Sequence, residues 1–207
     1  MKKVTGKFVF VLSMVILTTA VFADSMDLFS YIQKNDIEKL NSSITKSNVN
    51  TKKSGLTPLM YANQVKNLDA VKVLVSKGAD LEAKGSKTQT TVFIQAAEQG
   101  NIEIMKYLFE KKADIEAIDV DGGTAFDCAA YEGKVESLKY LVSINANINH
   151  QGPVWGNTAL MLASMQGKIE AVKYLLSINV SKDLKNKKGQ TALDVASTPE
   201  IKKLLNK

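Results

Sequence analysis

The stretch Thr57-Pro58-Leu59-Met60-Tyr61-Ala62 places a threonine five residues before an alanine, with mostly apolar residues between them. The arrangement returns four times, as Thr91-Val92-Phe93-Ile94-Gln95-Ala96, Thr124-Ala125-Phe126-Asp127-Cys128-Ala129, Thr158-Ala159-Leu160-Met161-Leu162-Ala163 and Thr191-Ala192-Leu193-Asp194-Val195-Ala196. Neighbouring threonines are 34, 33, 34 and 33 residues apart. A fixed period of this length is typical of stacked repeats, in which each unit buries its apolar face against the next.

Two further features keep the same register. A glycine stands two residues before four of the threonines, at Gly55, Gly122, Gly156 and Gly189. A turn follows 21 residues after four of them, at Gly78-Ala79-Asp80, Lys112-Ala113-Asp114, Asn145-Ala146-Asn147 and Asn179-Val180-Ser181. This pattern resembles the ankyrin repeat family, whose unit reads D-x-x-G-x-T-P-L-H-x-A, helix, turn, helix, G-A-D-V-N. The resemblance covers about residues 26 to 207.

The resemblance implies an all-α repeat solenoid in which each unit has two antiparallel helices and a β-hairpin finger. About four full repeats are expected between degenerate capping repeats. The predicted boundaries are 26–51 for the N-terminal cap, 52–85, 86–118, 119–152 and 153–185 for the repeats, and 186–207 for the C-terminal cap.

Local signals agree with this assignment. Each threonine is placed as an N-cap whose hydroxyl accepts a hydrogen bond from a first-turn amide, and Pro58 fills the first helical position. Gly100, Gly133 and Gly167 are placed to end the first helices in a left-handed conformation. Lys66 takes that place in the first full repeat, which should make its turn less stable. The second helices show apolar residues at helical spacing.

The first residues have the order of a secretory signal peptide. Lys2, Lys3 and Lys7 precede an apolar-rich run over 8–22. Val21-Phe22-Ala23 then forms a possible cleavage site before the polar residues Asp24 and Ser25. The run is shorter than the roughly 20 residues that span a bilayer. We therefore predict a signal peptide over 1–23, cleavage before Asp24, no stable membrane span afterwards, and a periplasmic or secreted protein. The alternatives are an uncleaved anchor or another cleavage site.

Composition excludes several function classes. The formal charge is +6, and removing residues 1–23 lowers it to +3. All 27 basic residues are lysines, and the absence of arginine argues against sequence-specific nucleic-acid binding. The chain has one cysteine, so packing rather than an internal disulfide must stabilise it. No nucleophile–base pair, phosphate loop or spaced metal-ligand cluster is present, so we expect no enzyme activity and no cofactor.

Three positions could suggest chemistry. Cys128 occupies the position filled by Leu162 and Val195 in later repeats, which favours a packing cysteine in an apolar environment over a reactive one. His150, the single histidine, falls in a finger away from any nucleophile. The run 119–122, Asp-Val-Asp-Gly, looks superficially like a calcium loop, but the finger of the repeat explains it better.

In the ankyrin family, partners bind the concave side, formed by the finger tips and the exposed ends of the first helices. Carried over by register, these positions are richest in apolar residues in the third and fourth repeats. We call these eight residues the predicted patch: Val120, Asp121, Tyr131, Glu132, Val154, Trp155, Met165 and Gln166. Exposed aromatic residues flanked by charge are typical of an interface hot spot.

Finger length supports a binding role. The fingers at 84–90 and 151–157 are each one residue longer than the others, and insertions on one face of a solenoid often map to its binding side. Two roles of Trp155 stay open: it contacts a partner, or it folds onto its own finger and stiffens it.

The sequence therefore predicts an exported, monomeric protein-binding module of unknown partner. Two forms of this function are considered. One is a periplasmic or cell-surface scaffold, and the other is a secreted effector or inhibitor acting on a protein outside the cell.

Overall fold

The computed structural model of the chain describes residues 28–206. The predicted signal peptide, 1–23, and its cleavage site lie outside the described residues. The described part forms eleven helices, of which α1 covers 28–34. The others are α2 (Ile37–Ser43), α3 (Pro58–Gln64), α4 (Leu68–Ser76), α5 (Val92–Gln99), α6 (Ile102–Glu110), α7 (Ala125–Glu132), α8 (Val135–Ser143), α9 (Ala159–Met165), α10 (Ile169–Ser177) and α11 (Pro199–Leu205). An all-α repeat solenoid is thus confirmed.

Helices α3, α5, α7 and α9 begin at the repeated threonines. The Oγ1 atoms of these threonines accept hydrogen bonds from the amides three residues later, at 3.2–3.4 Å. Pro58 occupies the first turn of α3, where the N–H that it lacks would have no intrahelical partner. The N-caps predicted for these four helices are confirmed, because the side-chain oxygen satisfies an amide that the helix itself leaves free.

The fifth repeated phrase differs from the expectation. Residues 192–195 form a turn, and the next helix, α11, begins only at Pro199. The proline ring holds the preceding residue, Thr198, in an extended conformation, which prevents a continuous helix through this segment. Thr198 instead caps α11 by accepting a hydrogen bond from the Ile201 amide at 3.3 Å.

The alanines of the repeated phrases lie in the core between neighbouring repeats. Ala62, Ala96, Ala129 and Ala163 are completely buried. Helix α3 packs on α5, α5 on α7 and α7 on α9, so the small side chains allow the close approach that stacking needs. Burial of apolar side chains from both helices of each repeat then supplies the stabilising free energy, about 1.5–3 kcal/mol for a large side chain.

The turns between first and second helices follow the predicted conformation. Gly100 and Gly133 end α5 and α7 with φ of +76° and +72°. Lys66 also adopts a left-handed conformation, with φ of +57°. The lower stability expected of the turn at Lys66 stays a prediction.

A row of side-chain hydrogen bonds joins the turns that follow the second helices. In each case a side-chain oxygen of one repeat accepts a hydrogen bond from the backbone amide of the aligned turn residue in the next repeat. The bonds run from Asp80 N to Asn50 Oδ1 (2.9 Å), Asp114 N to Glu82 Oε1 (2.9 Å), Asn147 N to Glu116 Oε1 (2.9 Å) and Ser181 N to Asn149 Oδ1 (3.0 Å). We call these four bonds the turn ladder.

The fingers project from the same end of the helix pairs, because each connects a second helix to the first helix of the next repeat. Each is a chain reversal closed by backbone hydrogen bonds, such as Gly85 N to Thr90 O at 2.9 Å. Single backbone bonds join some neighbouring fingers, as between Val120 N and Thr88 O at 2.9 Å. Within 28–206 the fingers include one isolated bridge, Lys53–Leu56, and no regular strand, because single bonds do not make a ladder.

No helix among residues 28–206 combines the length and apolarity that crossing a bilayer requires.

Candidate functional site

A cavity of about 390 Å³ lies between the third finger (119–123), the fourth finger (151–157) and the first helices α5, α7 and α9. We call it the finger cavity. It is lined by Thr88, Glu98, Asp119, Val120, Asp121, Gly122, Gly123, Asp127, Cys128, Tyr131, Glu132, Gly152, Trp155, Asn157 and Leu162.

The finger cavity brings together five of the eight residues of the predicted patch, namely Val120, Asp121, Tyr131, Glu132 and Trp155. The other three do not line it. Val154 and Gln166 are exposed outside it, and Met165 is half-buried. Tyr131 and Trp155 thus border one cavity, but Met165 does not join them as the register suggested.

The apolar side chains at this site reach solvent. The exposed fractions are 54% for Val120, 42% for Tyr131, 43% for Val154 and 53% for Trp155. Val65 and Phe109 are the other large apolar side chains with comparable exposure in the described part of the chain. Four exposed apolar residues therefore collect in two adjacent repeats. Trp155 keeps about half of its surface free, whichever role it has.

The third finger, residues 119–123, is held by the carboxylate of Asp119. Its Oδ1 accepts hydrogen bonds from the amides of Asp121 at 2.9 Å and Gly123 at 2.8 Å. A loop stabilised in this way explains the Asp-Val-Asp-Gly run. Across residues 28–206, no cluster of three or more acidic, histidine or cysteine side chains is arranged to hold a metal ion.

Glycine allows the third and fourth fingers to touch. Gly122 has φ of +80°, and a Cβ atom there would lie 2.6 Å from Pro153 Cδ. A Cβ atom on Gly152 would lie 2.7 Å from the carbonyl oxygen of Gly122. Both distances are too short for carbon, so side chains at these positions would push apart the two fingers that border the cavity.

The finger cavity is acidic. Five of its lining residues carry carboxyl groups: Glu98, Asp119, Asp121, Asp127 and Glu132. Burial, assisted by the negative charges of Asp119 and Glu132, raises the pKa of Glu98 to about 7. A shift of this kind marks a carboxyl group without a neighbouring cation.

Cys128 is buried as predicted, but it also has a polar neighbour that was not predicted. It is buried, with 8% of its surface exposed, but its Sγ donates a hydrogen bond to Asp119 Oδ2 at 3.5 Å. The predicted packing cysteine is confirmed, since Cys128 belongs to the buried hydrophobic cluster, but the third finger also places the carboxylate of Asp119 beside the thiol. Burial, together with the negative charges of Glu98, Asp119 and Asp127, raises the pKa of Cys128. The thiol therefore stays protonated and is a poor nucleophile.

Comparison with protein families gives three matches to ankyrin repeats. Residues 54–86 match a single repeat, 93–142 match a pattern described as many copies, and 128–206 match one described as three copies. The chain is an ankyrin repeat protein. The comparison with curated proteins gave no significant match. Ankyrin repeats are generally protein–protein interaction modules, and ankyrin repeat proteins are typically non-catalytic.

Asp127 stands where the ankyrin repeat motif has its helical histidine. The side chain is 2% exposed, and its Oδ2 accepts hydrogen bonds from the amide and hydroxyl of Thr124, both at 3.0 Å. The same oxygen lies 2.6 Å from Nδ1 of His150. The hydrogen bond to Asp127 raises the pKa of His150, and the charges of Asp127 and Glu116 act in the same direction against partial burial.

The position of His150 in a finger, away from any nucleophile, did not predict a role for it. The pair between Asp127 and His150 could have been suspected, because an aspartate replaces the family histidine 23 residues before the single histidine of the chain. Oδ1 of Asp127, in contrast, is buried without a hydrogen-bond partner, and Asp127 is one of the residues that line the finger cavity.

Glu98 lies on the predicted concave side by register but was not included among the eight residues of the predicted patch. It stands seven residues after Thr91, as Tyr131 stands seven after Thr124, and this shared register was the available signal. Together the lining residues offer exposed aromatic surface, carboxylates and a protonated thiol. This set is suited to non-covalent recognition.

Proposed function

We propose that this ankyrin repeat protein is an exported, non-catalytic scaffold that binds another protein through its predicted patch and the finger cavity. The observation that carries the proposal is the collection of Val120, Tyr131, Val154 and Trp155 as exposed side chains in two adjacent repeats. Apolar surface of this kind, beside a cavity and surrounded by charge, is what a partner can bury with a gain in free energy.

The exposure of Trp155 supports contact with a partner over a purely internal role. Its backbone oxygen accepts a hydrogen bond from the Lys187 amide at 3.0 Å, so the finger is already held by its backbone. Half of the indole surface then remains available for contact. Tryptophan is among the residues most enriched in interface hot spots.

The test is the Trp155→Ala variant in affinity capture from the native organism. We expect binding of the captured partner to weaken by at least about tenfold, while the thermal midpoint stays nearly unchanged. Phe109→Ala is the matched control, because Phe109 is an exposed aromatic residue on α6, away from the finger cavity. A large fall in melting temperature with binding intact would show that Trp155 is a structural residue.

Export is part of the proposal and rests on the pattern of residues 1–23. Intact-mass measurement on protein from the native organism should give a chain beginning at Asp24, and a mass that includes residues 1–23 would contradict it. Cell fractionation separates the two forms of the function. Retention in the cell envelope supports a scaffold, and release into the medium supports an effector or inhibitor.

A further inference from the structure

We propose that the finger cavity receives an arginine side chain of the protein partner, with its guanidinium between the two aromatic residues and the carboxylates. The proposal rests on the proposed function and adds the chemistry that the partner must present. Four observations on the cavity carry it.

The first observation is uncompensated negative charge. Asp127 is paired with His150, and Asp119 is occupied by the amides of its own finger and by the Cys128 thiol. No lysine lines the finger cavity, and none of the lysines in 28–206 forms an ion pair with its carboxylates. Glu98 and Glu132 therefore face the cavity without a cation, and a positively charged group would complement them.

The second observation is the orphaned oxygen of Asp127. This Oδ1 atom is buried and has no hydrogen-bond partner, although the other oxygen of the same carboxylate has three contacts. Buried polar atoms without partners are rare in folded proteins and cost free energy. Because Asp127 lines the finger cavity, a ligand that brings an N–H donor can supply the missing hydrogen bond.

The third observation selects arginine over lysine. The carboxylates lie on separate elements: Glu98 on α5, Asp127 and Glu132 on α7, and Asp121 on the third finger. A guanidinium group carries five N–H donors in a planar fork and can bond several acceptors, whereas an ammonium group is a compact and strongly hydrated charge. Tyr131 and Trp155 add aromatic faces on which a guanidinium stacks.

The fourth observation concerns the source of the arginine. The chain contains none, so a second copy of this protein cannot supply the group. The partner must be a different protein with an exposed arginine in the segment that enters the finger cavity.

Trp155 makes the proposal directly measurable, because it is the single tryptophan of the chain and borders the cavity. Acetylated and amidated pentapeptides Ala-Ala-Xaa-Ala-Ala, with arginine, lysine or citrulline in the centre, are titrated into the purified full-length protein while tryptophan emission is recorded. We expect a saturable change with the arginine peptide. Citrulline has the same shape without the charge, and its peptide should bind at least about tenfold more weakly.

Variants of the protein provide the second arm. Glu98→Gln keeps the size of the side chain, removes its charge and should weaken the arginine peptide by about tenfold. Glu103→Gln is the matched control, since it makes the same change on α6 of the same repeat, outside the cavity, and should alter the affinity by less than about twofold. Native circular dichroism spectra of both variants establish that they are folded.

Several results would overturn the proposal. They are equal affinity for the arginine and citrulline peptides, equal affinity for the arginine and lysine peptides, no saturable response, or no effect of Glu98→Gln.

Affinity capture with the Trp155→Ala variant separates this inference from the proposed function. If capture is lost on that substitution while the arginine peptide does not bind, the inference fails and the protein-binding function stands. If the arginine peptide binds but Trp155→Ala leaves capture unchanged, the function at this face fails instead.

Discussion

The second helices and the finger cavity both carry acidic side chains, but their surroundings differ. On α6, α8 and α10 a first-turn glutamate pairs with a lysine three residues later, and both partners are solvent-exposed. The pairs are Glu103–Lys106 at 2.8 Å, Glu136–Lys139 at 2.7 Å and Glu170–Lys173 at 2.8 Å. In the finger cavity no lysine accompanies Glu98, Asp121 or Glu132.

This comparison separates the repeated part of the sequence from the part that is specific to this protein. The helix-surface pairs recur in three repeats, contribute little to stability individually and keep the surface neutral and solvated. Glu98, in contrast, is partly buried in the cavity, where burial and the negative charges of Asp119 and Glu132 disfavour its ionised form. Ionisable groups whose charged form is destabilised by their surroundings are often found at functional sites, so Glu98 is a candidate for function.

The largest effect is expected at Asp127. Asp127→Ala removes the acceptor for the Thr124 amide and hydroxyl and for His150, so we expect a loss of about 2 kcal/mol in the free energy of unfolding by urea. The folded-state pKa of His150 lies above its ordinary value of 6.5. The stabilisation by the pair is therefore full below pH 6.5 and decreases as the pH rises through the folded-state pKa. The difference between wild type and variant should be larger at pH 6 than at pH 8.

Asp194→Ala is the control for this experiment. Asp194 makes the same hydrogen bonds to its own capping threonine, Thr191, at 2.8 Å each, but it is exposed and has no histidine beside it. The decrease in the free energy of unfolding caused by Asp194→Ala should be smaller than that caused by Asp127→Ala and should be the same at pH 6 and pH 8. Equal losses for the two variants would mean that the pair between Asp127 and His150 adds nothing beyond the local hydrogen bonds to the threonine.

A smaller effect, with a distinctive pH dependence, is expected at Glu98. Its folded-state pKa of about 7 lies above the ordinary value of 4.5, so the folded state favours the protonated form. The stabilisation that comes from protonated Glu98 in the folded state is complete below about pH 4.5 and is lost as the pH rises through about 7. After allowance for partial exposure, Glu98→Gln should remove a penalty of about 1 kcal/mol at pH 8, which corresponds to a rise of about 2–4 °C in melting temperature.

Thermal unfolding followed by circular dichroism at pH 5 and pH 8 measures this effect. Glu103→Gln, on the exposed face of α6, should leave the melting temperature at both pH values nearly unchanged. A Glu98→Gln variant that is no more stable than wild type at pH 8 would show that the carboxyl group is well solvated in the cavity.

The smallest effect is expected at Cys128. An apolar environment would make a buried serine hydroxyl cost about 1–3 kcal/mol. Because Asp119 Oδ2 lies 3.5 Å from the thiol, a hydroxyl at this position has an acceptor available, and Cys128→Ser should cost less than about 1 kcal/mol. Urea unfolding provides the measurement. A loss well above this value would indicate that the serine cannot reach Asp119.

The sequence determined the helical framework well, because its signals are local. A threonine cap, a proline in the first turn and an alanine at a helix contact each act within a few residues, and Thr57, Pro58 and Ala62 behave as predicted. The family assignment followed from the repetition of these signals.

The details of the site could not be predicted in the same way. Tyr131 and Met165 share one register position, yet Tyr131 is exposed at the cavity and Met165 is half-buried outside it. Register gives the direction of a Cβ atom, but it does not determine which neighbouring segments cover the side chain. The environment of Cys128 and the contact between Asp127 and His150 depend on the same folding of fingers over helices.

The turn ladder has a consequence for how such a chain can change length during evolution. Each of its bonds joins the turn residue of one repeat to the same acceptor position of the preceding repeat, as from Asp80 to Asn50 and from Asp114 to Glu82. If residues 81–114 were deleted, Asp80 would remain bonded to Asn50, and Glu116 would still accept the amide of Asn147. Gain or loss of one whole unit therefore leaves no turn without its bond. The bonds that span the longer fingers at 84–90 and 151–157 are also intact, so a change of length confined to a finger leaves the turn ladder in place.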